Sequence, residues 1–289
     1  MNARPYVGAH MSIAGGIDCA VDRAVALDCE VLQVFTHNQR QWTIPPLSPA
    51  VVDRFRSALR RAPLMGAVAH ASYLINLASP ERHKWSRSVR MLIAEMERAA
   101  VLGLAGVVLH PGSAVGRPRR DAIRRVVRAL RQVLREMNGG PPYLWIENAA
   151  GQGDTLGADL HEWWTLIEVI GDERIGGCLD TCHLLAAGYP IHTRAGYETV
   201  MAFLEERQAI ERVRIVHMND SARPAGARVD RHAHIGRGHI GFQGFRCWMT
   251  DPRWHHAWMI IETPKDPAGR WDRRNIRVLK SLRGDGMHT

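Results

Sequence analysis

The chain has 289 residues, 46% of them hydrophobic and 23% charged, which is enough to bury a full core and too ordinary a balance for a disordered or fibrous protein. Its 38 Lys and Arg against 29 Asp and Glu leave a formal charge of +9, which favours a polyanionic partner such as nucleic acid. Because 35 of those 38 are arginine, a G+C-rich genome would produce the same bias without any partner.

The opening MNARPYVGAHMSIAGG has no apolar signal core, and no run approaches the ~18 apolar residues of a membrane helix. Five cysteines (Cys19, Cys29, Cys178, Cys182 and Cys247) include no Cys-x-x-Cys pair. The expectation is a soluble, cytoplasmic, reduced protein with no membrane partner, in which any metal is held by imidazoles and carboxylates.

In chain order, Tyr6–His10 is the first of eight short apolar, β-branched runs, and helical spacing follows at Ile17–Cys29. VLQVFT ends at Thr36 and leads to a helix over Pro49–Arg61. GAVAHAS ends at Ser72 and leads to Glu81–Leu102. GVVLHPG ends at Gly112 and leads to Pro118–Met137, where Ile123, Val126, Val127, Leu130 and Leu134 form an apolar stripe beneath a solvated arginine face. YLWIEN, ending at Asn148, precedes Asp159–Ile170; IGGCLD ends at Asp180; RIVHMND, ending at Asp220, precedes a helix over Phe242–Asp251. Ala195–Ile210 lies between those two strands, and WMIIET, ending at Thr263, precedes Asp272–Leu282.

Eight apolar strands alternating with helices predict an α/β fold, a TIM (β/α)8 barrel with a parallel eight-stranded core, outer helices and functional loops at the C-terminal face. An open doubly wound sheet is the alternative, but no Gly-rich phosphate loop follows the first strand. One domain is expected over residues 1–283, with a frayed tail at 284–289.

Six of the eight runs carry, at or near their ends, a residue able to ligate metal: His70, His110, Glu147, Asp180, His217 and Glu262. In a parallel barrel every C-terminal strand end opens on one face, so these residues would converge. His183 follows Asp180 by three residues, and Asp230 and His232 lie in the long connection SARPAGARVDRHAHIGRGHIG. Nine N and O donors exceed the four or so that one zinc takes, so they suit a multinuclear cluster. A carboxylate cluster without cations would be costly to bury. His10, His234 and His239 could line such a site without being ligands, whereas Trp163, Trp164, Trp254, Cys178 and Cys182 read as packing residues.

At this point the motifs become recognisable. IENAAGQG, LDTCHLLAAGY and HMNDSARPAGARVDRHAHIGRGHIG closely resemble the signature regions of the endonuclease IV family of apurinic/apyrimidinic endonucleases, and GAHMSIAGG, FTHNQRQW, HASYLINLASP, LHPGS and IIETPKD match further segments in order. The resemblance implies a hydrolase of the deoxyribonuclease IV type, acting in base excision repair on the phosphodiester 5′ to an abasic site, with three metals, usually zinc, and with Mn2+ or Fe2+ as substitutes. By that resemblance His70, His110 and Glu147 ligate one metal. Glu147 bridges to a second, completed by Asp180, His217 and Glu262, while His183, Asp230 and His232 take the third. Glu147 would position the nucleophile, a hydroxide bridging two metals.

Arg40 and Tyr73 resemble the residues that enter the minor groove and fill the space of a flipped abasic nucleotide, with Asn38 and Gln39 beside them on the DNA. The implied partner is duplex DNA, and the protein is expected to be a monomer, nucleoid-associated through its substrate. His37, where relatives often carry lysine, would weaken a phosphate contact; Ala71 and Ala149 would alter the hydrogen bonds that orient ligands. Two rivals stand beside this reading: a metal-dependent sugar isomerase or epimerase on a similar barrel, and a catalytically silent abasic-site binder.

Overall fold

Strands buried on both faces need apolar residues at successive positions, and the near-continuous apolar runs provide them. The computed structural model describes residues 4–137 and 139–284. Its strands are β1 (Tyr6–Met11), β2 (Val31–Val34), β3 (Ala67–His70), β4 (Gly106–Leu109), β5 (Tyr143–Glu147), β6 (Ile175–Asp180), β7 (Val213–His217), β8 (Asp220–Ser221), β9 (His232–Ala233) and β10 (Trp258–Ile261). Eight of them close into a parallel barrel in the order β1-β10-β7-β6-β5-β4-β3-β2, as expected of a TIM barrel, while β8 and β9 form a separate antiparallel pair.

The helices are α1 (Cys19–Ala26), α2 (Pro49–Arg61), α3 (Arg82–Leu102), α4 (Arg119–Glu136), α5 (Leu160–Glu168), α6 (Thr181–Ala187), α7 (Arg194–Glu206), α8 (Gly241–Thr250) and α9 (Arg270–Leu282). α4 turns Val126, Val127, Leu130, Val133 and Leu134 inward and its arginines outward. Trp163, Trp164, Trp254, Cys178 and Cys182 are all buried. The expected tail at 284–289 lies outside the described residues apart from Gly284. Among the described residues no helix is long and apolar enough to cross a membrane.

Three local features differ from the expected elements. α1 ends at Ala26 rather than Cys29, because Asp28 takes a left-handed conformation (φ 61°) that turns the chain into β2. α6 follows β6 directly where no helix was expected. Asp180 caps it by accepting from the His183 amide, and Gly188 at φ 112° ends it; seven residues that are nearly all buried show no amphipathic period. The connection after β7 contains β8 and β9, which pair Asp220 with Ala233 and Ser221 with His232.

The period of two along each strand gives the barrel its contents. Val31, Val68, Val108, Trp145, Cys178, Ile215 and Ile260 pack together in the interior, apart from the larger core between strands and helices. Two residues further along each of these strands the same inward direction falls on Gln33, His70, His110, Glu147, Asp180, His217 and Glu262, with His10 in the matching place on β1. Each strand therefore lifts one polar side chain off an apolar floor toward the C-terminal mouth.

Candidate metal centre

Glu147, at the end of β5, is fully buried at the middle of this constellation. Its Oε2 lies 3.1 Å from His70 Nε2 and 3.4 Å from His110 Nε2, and its Oε1 lies 3.0 Å from His217 Nδ1 and 3.3 Å from His183 Nδ1. Among the groups whose donor atoms lie within 4.8 Å of one another are His70, His110 and Glu147; Glu147, Asp180, His217 and Glu262; and His183, Asp230 and His232, with further groupings that add Cys178 or Cys182. All nine residues expected at the site are brought together.

Four of the imidazoles have one nitrogen committed to a carbonyl. His70 Nδ1 donates to Ala71 O (2.8 Å), His183 Nδ1 to Asn148 O (2.9 Å), His232 Nδ1 to Glu262 O (3.2 Å), and His217 Nε2 to the side-chain Oε1 of Gln33 (2.9 Å). In each ring the other nitrogen is turned toward carboxylates, the arrangement by which proteins orient metal-binding histidines. His232 Nε2 is buried, lies 3.2 Å from Asp230 Oδ1 and makes no hydrogen bond. A divalent cation fits a buried nitrogen aimed between two carboxylates, here Asp180 and Asp230, once it has displaced any proton held there.

The electrostatics agree. Burial alone would raise Glu147, but His110 and His217 beside it hold its carboxyl well below the usual range. Burial likewise opposes His70 and His232, yet Glu147 and Glu262 lift the first to about 9, and Asp180 and Asp230 lift the second to about 9. Burial takes His110 down to about 4. Asp180 stays above its ordinary value because burial and Glu147 outweigh His183 and His232. Imidazoles thus stand in as counter-cations without neutralising the pocket, and metal binding would replace protons there. Cys178 and Cys182 also lie near these groups, but burial pushes the Cys182 thiol up to about 12 and the Cys178 thiol well above its ordinary value, which disfavours the thiolate a metal needs.

Several buried polar residues hold the donors. Gln33 Nε2 donates to Glu262 Oε1 (2.5 Å) and contacts His10 Nδ1 (3.0 Å), while its Oε1 accepts from His217. Asn148 Oδ1 accepts from the Asp180 amide (2.6 Å), and Asn219 donates to Asp180 Oδ2 (2.6 Å) and accepts from the Glu262 amide (2.7 Å). None of these three was expected from the sequence. Ala71 contributes its carbonyl rather than its side chain to His70, and Ala149 only a backbone bond to Gly157.

Tyr73 is 66% exposed at the rim, its ring 5.5 Å from Phe35 and 6.0 Å from His70. Arg40 and Asn38 are exposed on the β2–α2 loop, where Asn38 Oδ1 accepts from the Arg40 amide (3.1 Å), and Gln39 is half-buried there. His37 is not at the surface. It is buried against Glu95, so the expected loss of a phosphate contact does not apply. His234 stacks on Trp271 at 4.0 Å and is no part of the cluster.

A closed parallel barrel with candidate metal-binding groups at its C-terminal mouth fits a xylose isomerase-like TIM barrel, the family whose model matches residues 21–282. The chain is 42% identical over 279 residues to the probable endonuclease 4 of Chloroflexus aurantiacus, covering 96% of this chain and 98% of that one, and 43% identical over 283 residues to that of Nitratidesulfovibrio vulgaris, covering 96% and 99%. Endonuclease IV from Thermus thermophilus superposes with a TM-score of 0.86 at 38% identity, over 98% of this chain and 100% of that one. This chain belongs to the endonuclease IV family. A D-tagatose 3-epimerase-like protein shares the fold alone, at a TM-score of 0.74 and 17% identity.

Proposed function

We propose that the protein hydrolyses the phosphodiester 5′ to abasic sites in duplex DNA, leaving 3′-hydroxyl and 5′-deoxyribose phosphate ends as a step of base excision repair. The observation that carries this reading is the gathering of nine candidate donors at the barrel mouth in groups close enough to hold metal ions, with four histidines already oriented by carbonyls. Family membership supports it.

In this reading His70, His110 and Glu147 hold one metal. Glu147 reaches a second with Asp180, His217 and Glu262, and His183, Asp230 and His232 hold the third. Nitrogen and oxygen donors favour zinc and admit manganese or iron. When bound, the cluster supplies an activated water and the positive charge that offsets the phosphodiester and the leaving alkoxide. Glu147 sets the spacing of two positions, its carboxylate being held ionised by the surrounding imidazoles. Arg40 and Tyr73 enter the minor groove and replace the stacking lost at the lesion, with Asn38 and Gln39 against the DNA backbone. A sugar isomerase would need neither the third group nor exposed Arg40 and Tyr73 at the rim.

The test is incision of a duplex carrying one tetrahydrofuran abasic analogue, which cannot undergo β-elimination, by as-purified, metal-stripped and zinc-restored protein. Cleavage on the 5′ side, lost on stripping and regained with zinc, is expected. No cleavage in any state, with metal content verified, would overturn the proposal in favour of a silent lesion binder or a sugar enzyme.

A further inference from the structure

Two loops carry the residues assigned above to lesion recognition. One runs from β2 to α2 and holds Arg40; the other follows β3 and holds Tyr73. Neither side chain is fixed by its own contacts. Tyr73 rests only edge-on against Phe35 and obliquely on His70, and Arg40 is exposed. Their positions therefore depend on how the loop backbones are anchored.

Both anchors lead to one carboxylate. Glu95 on α3 is 2% exposed, and its Oε1 lies 2.6 Å from His37 Nε2. The amide of Ser72, the residue before Tyr73, donates to both Glu95 oxygens at 3.1 and 3.2 Å. His37 Nδ1 donates to Asn38 O (3.0 Å), and Asn38 Oδ1 in turn accepts from the Arg40 amide. The loops also touch directly, Ser72 Oγ donating to Gln39 O at 2.7 Å. One helical turn along α3, Arg98 donates to Thr36 O (2.7 Å) and Pro45 O (2.6 Å), gripping the β2–α2 loop at two further points.

A carboxylate taken out of water is an expensive way to fill space, and an apolar side chain would fill it more cheaply. What the carboxylate adds is a fixed direction for two donors that belong to different loops. We propose that the buried His37–Glu95 pair, together with Ser72, is a positioning clamp that holds the Arg40 and Tyr73 loops in register for lesion recognition; the proposal rests on the abasic-endonuclease reading above. His37 needs a donor at each ring nitrogen to fill this role, one for the carboxylate and one for a carbonyl. A lysine ammonium, with three N–H groups, can serve the same acceptors. Preorganised loops bind the distorted duplex without first being ordered, so the clamp acts on recognition and leaves the hydrolytic step to the metal-binding residues.

The experiment uses the metal-replete full chain and the tetrahydrofuran duplex, with 2-aminopurine beside the lesion to report unstacking, and compares wild type with His37→Leu, His37→Lys and Ser72→Ala. For His37→Leu we expect KM to rise about tenfold and the 2-aminopurine signal to fall, as loss of a charge-assisted hydrogen bond would produce, with kcat within about twofold. Metal content should be unchanged. His37→Lys should return KM to within about threefold of wild type, and Ser72→Ala, a small change at one loop-to-loop bond, should raise it about threefold. Wild-type KM and signal in His37→Leu, or in Ser72→Ala if His37→Leu does not fold, would overturn the clamp, as would a His37→Lys variant as impaired as His37→Leu. Absence of incision by the wild type would instead overturn the nuclease reading and the clamp with it.

Discussion

Gln33 joins His217, Glu262 and His10 from within the barrel wall. Its carbonyl keeps the proton of His217 on Nε2, which leaves Nδ1 facing Glu147, Asp180 and Glu262. Gln33→Leu keeps the bulk and removes that direction. We expect metal affinity to fall about 10- to 100-fold, as is usual when a partner of a metal-ligating histidine is lost, measured by competition with a chelator of known affinity; an unchanged affinity would remove Gln33 from the site. The candidate donors were legible in the sequence because each is a His, Asp or Glu at a strand end or in a long loop, apart from His183, which stands three residues past the strand-end Asp180. Gln33 was not, because a lone amide inside VLQVFT looks like an interruption of an apolar strand. Strand parity finds it: Gln33 stands two residues beyond Val31 as His70 stands two beyond Val68, so it belongs to the same inward layer.

At the scale of elements, the connection from β8 to α8 brings Asp230 and His232 to the mouth, and Asp220 ties it down. That buried carboxylate accepts from the amides of Ser221 (2.8 Å), Gly236 (2.9 Å), Gly238 (3.0 Å) and Ile240 (2.9 Å). A Cβ at Gly238 would collide with Asp220 and with the Ser221 carbonyl, so the backbone can approach the carboxylate only as glycine. Asp220→Ala would leave four N–H groups without that acceptor, two of them, Ser221 and Ile240, buried, at about 1–3 kcal/mol each where water cannot replace it. The expected result is a lower melting temperature and one bound metal fewer than wild type, read by elemental analysis; a full metal complement would show that the loop holds without Asp220. Barrel strands and long helices were legible from their periods. α6 and the β8–β9 pair were not, since seven buried residues and two-residue strands are too short to carry a period, and what fixes them is side-chain capping by Asp180 and Asp220.

For the whole molecule, a charge of +9 predicts that binding to intact duplex is largely a matter of counterion release. Affinity should fall at least about tenfold between about 50 and 200 mM salt, measured by fluorescence anisotropy. A flat profile would mean that the arginines serve outer faces such as that of α4. Sequence alone left that question open, because composition reports how many arginines there are and not which face carries them. The barrel itself was legible, its alternation of strands and helices admitting few other closures. That closure has a consequence for a chain still being made. The three donor groups draw on β3, the residue after β4, β5, β6, α6, β7, the connection into β9, β9 itself and the residue after β10, and β10 completes the barrel by pairing with β1. A nascent chain that has emerged as far as β6 carries His70, His110 and Glu147 but lacks His217 and Glu262 for the second group and Asp230 and His232 for the third. Translation therefore has to pass β10 before the three groups can assemble, so unfinished or truncated products carry no complete site into a cell full of DNA.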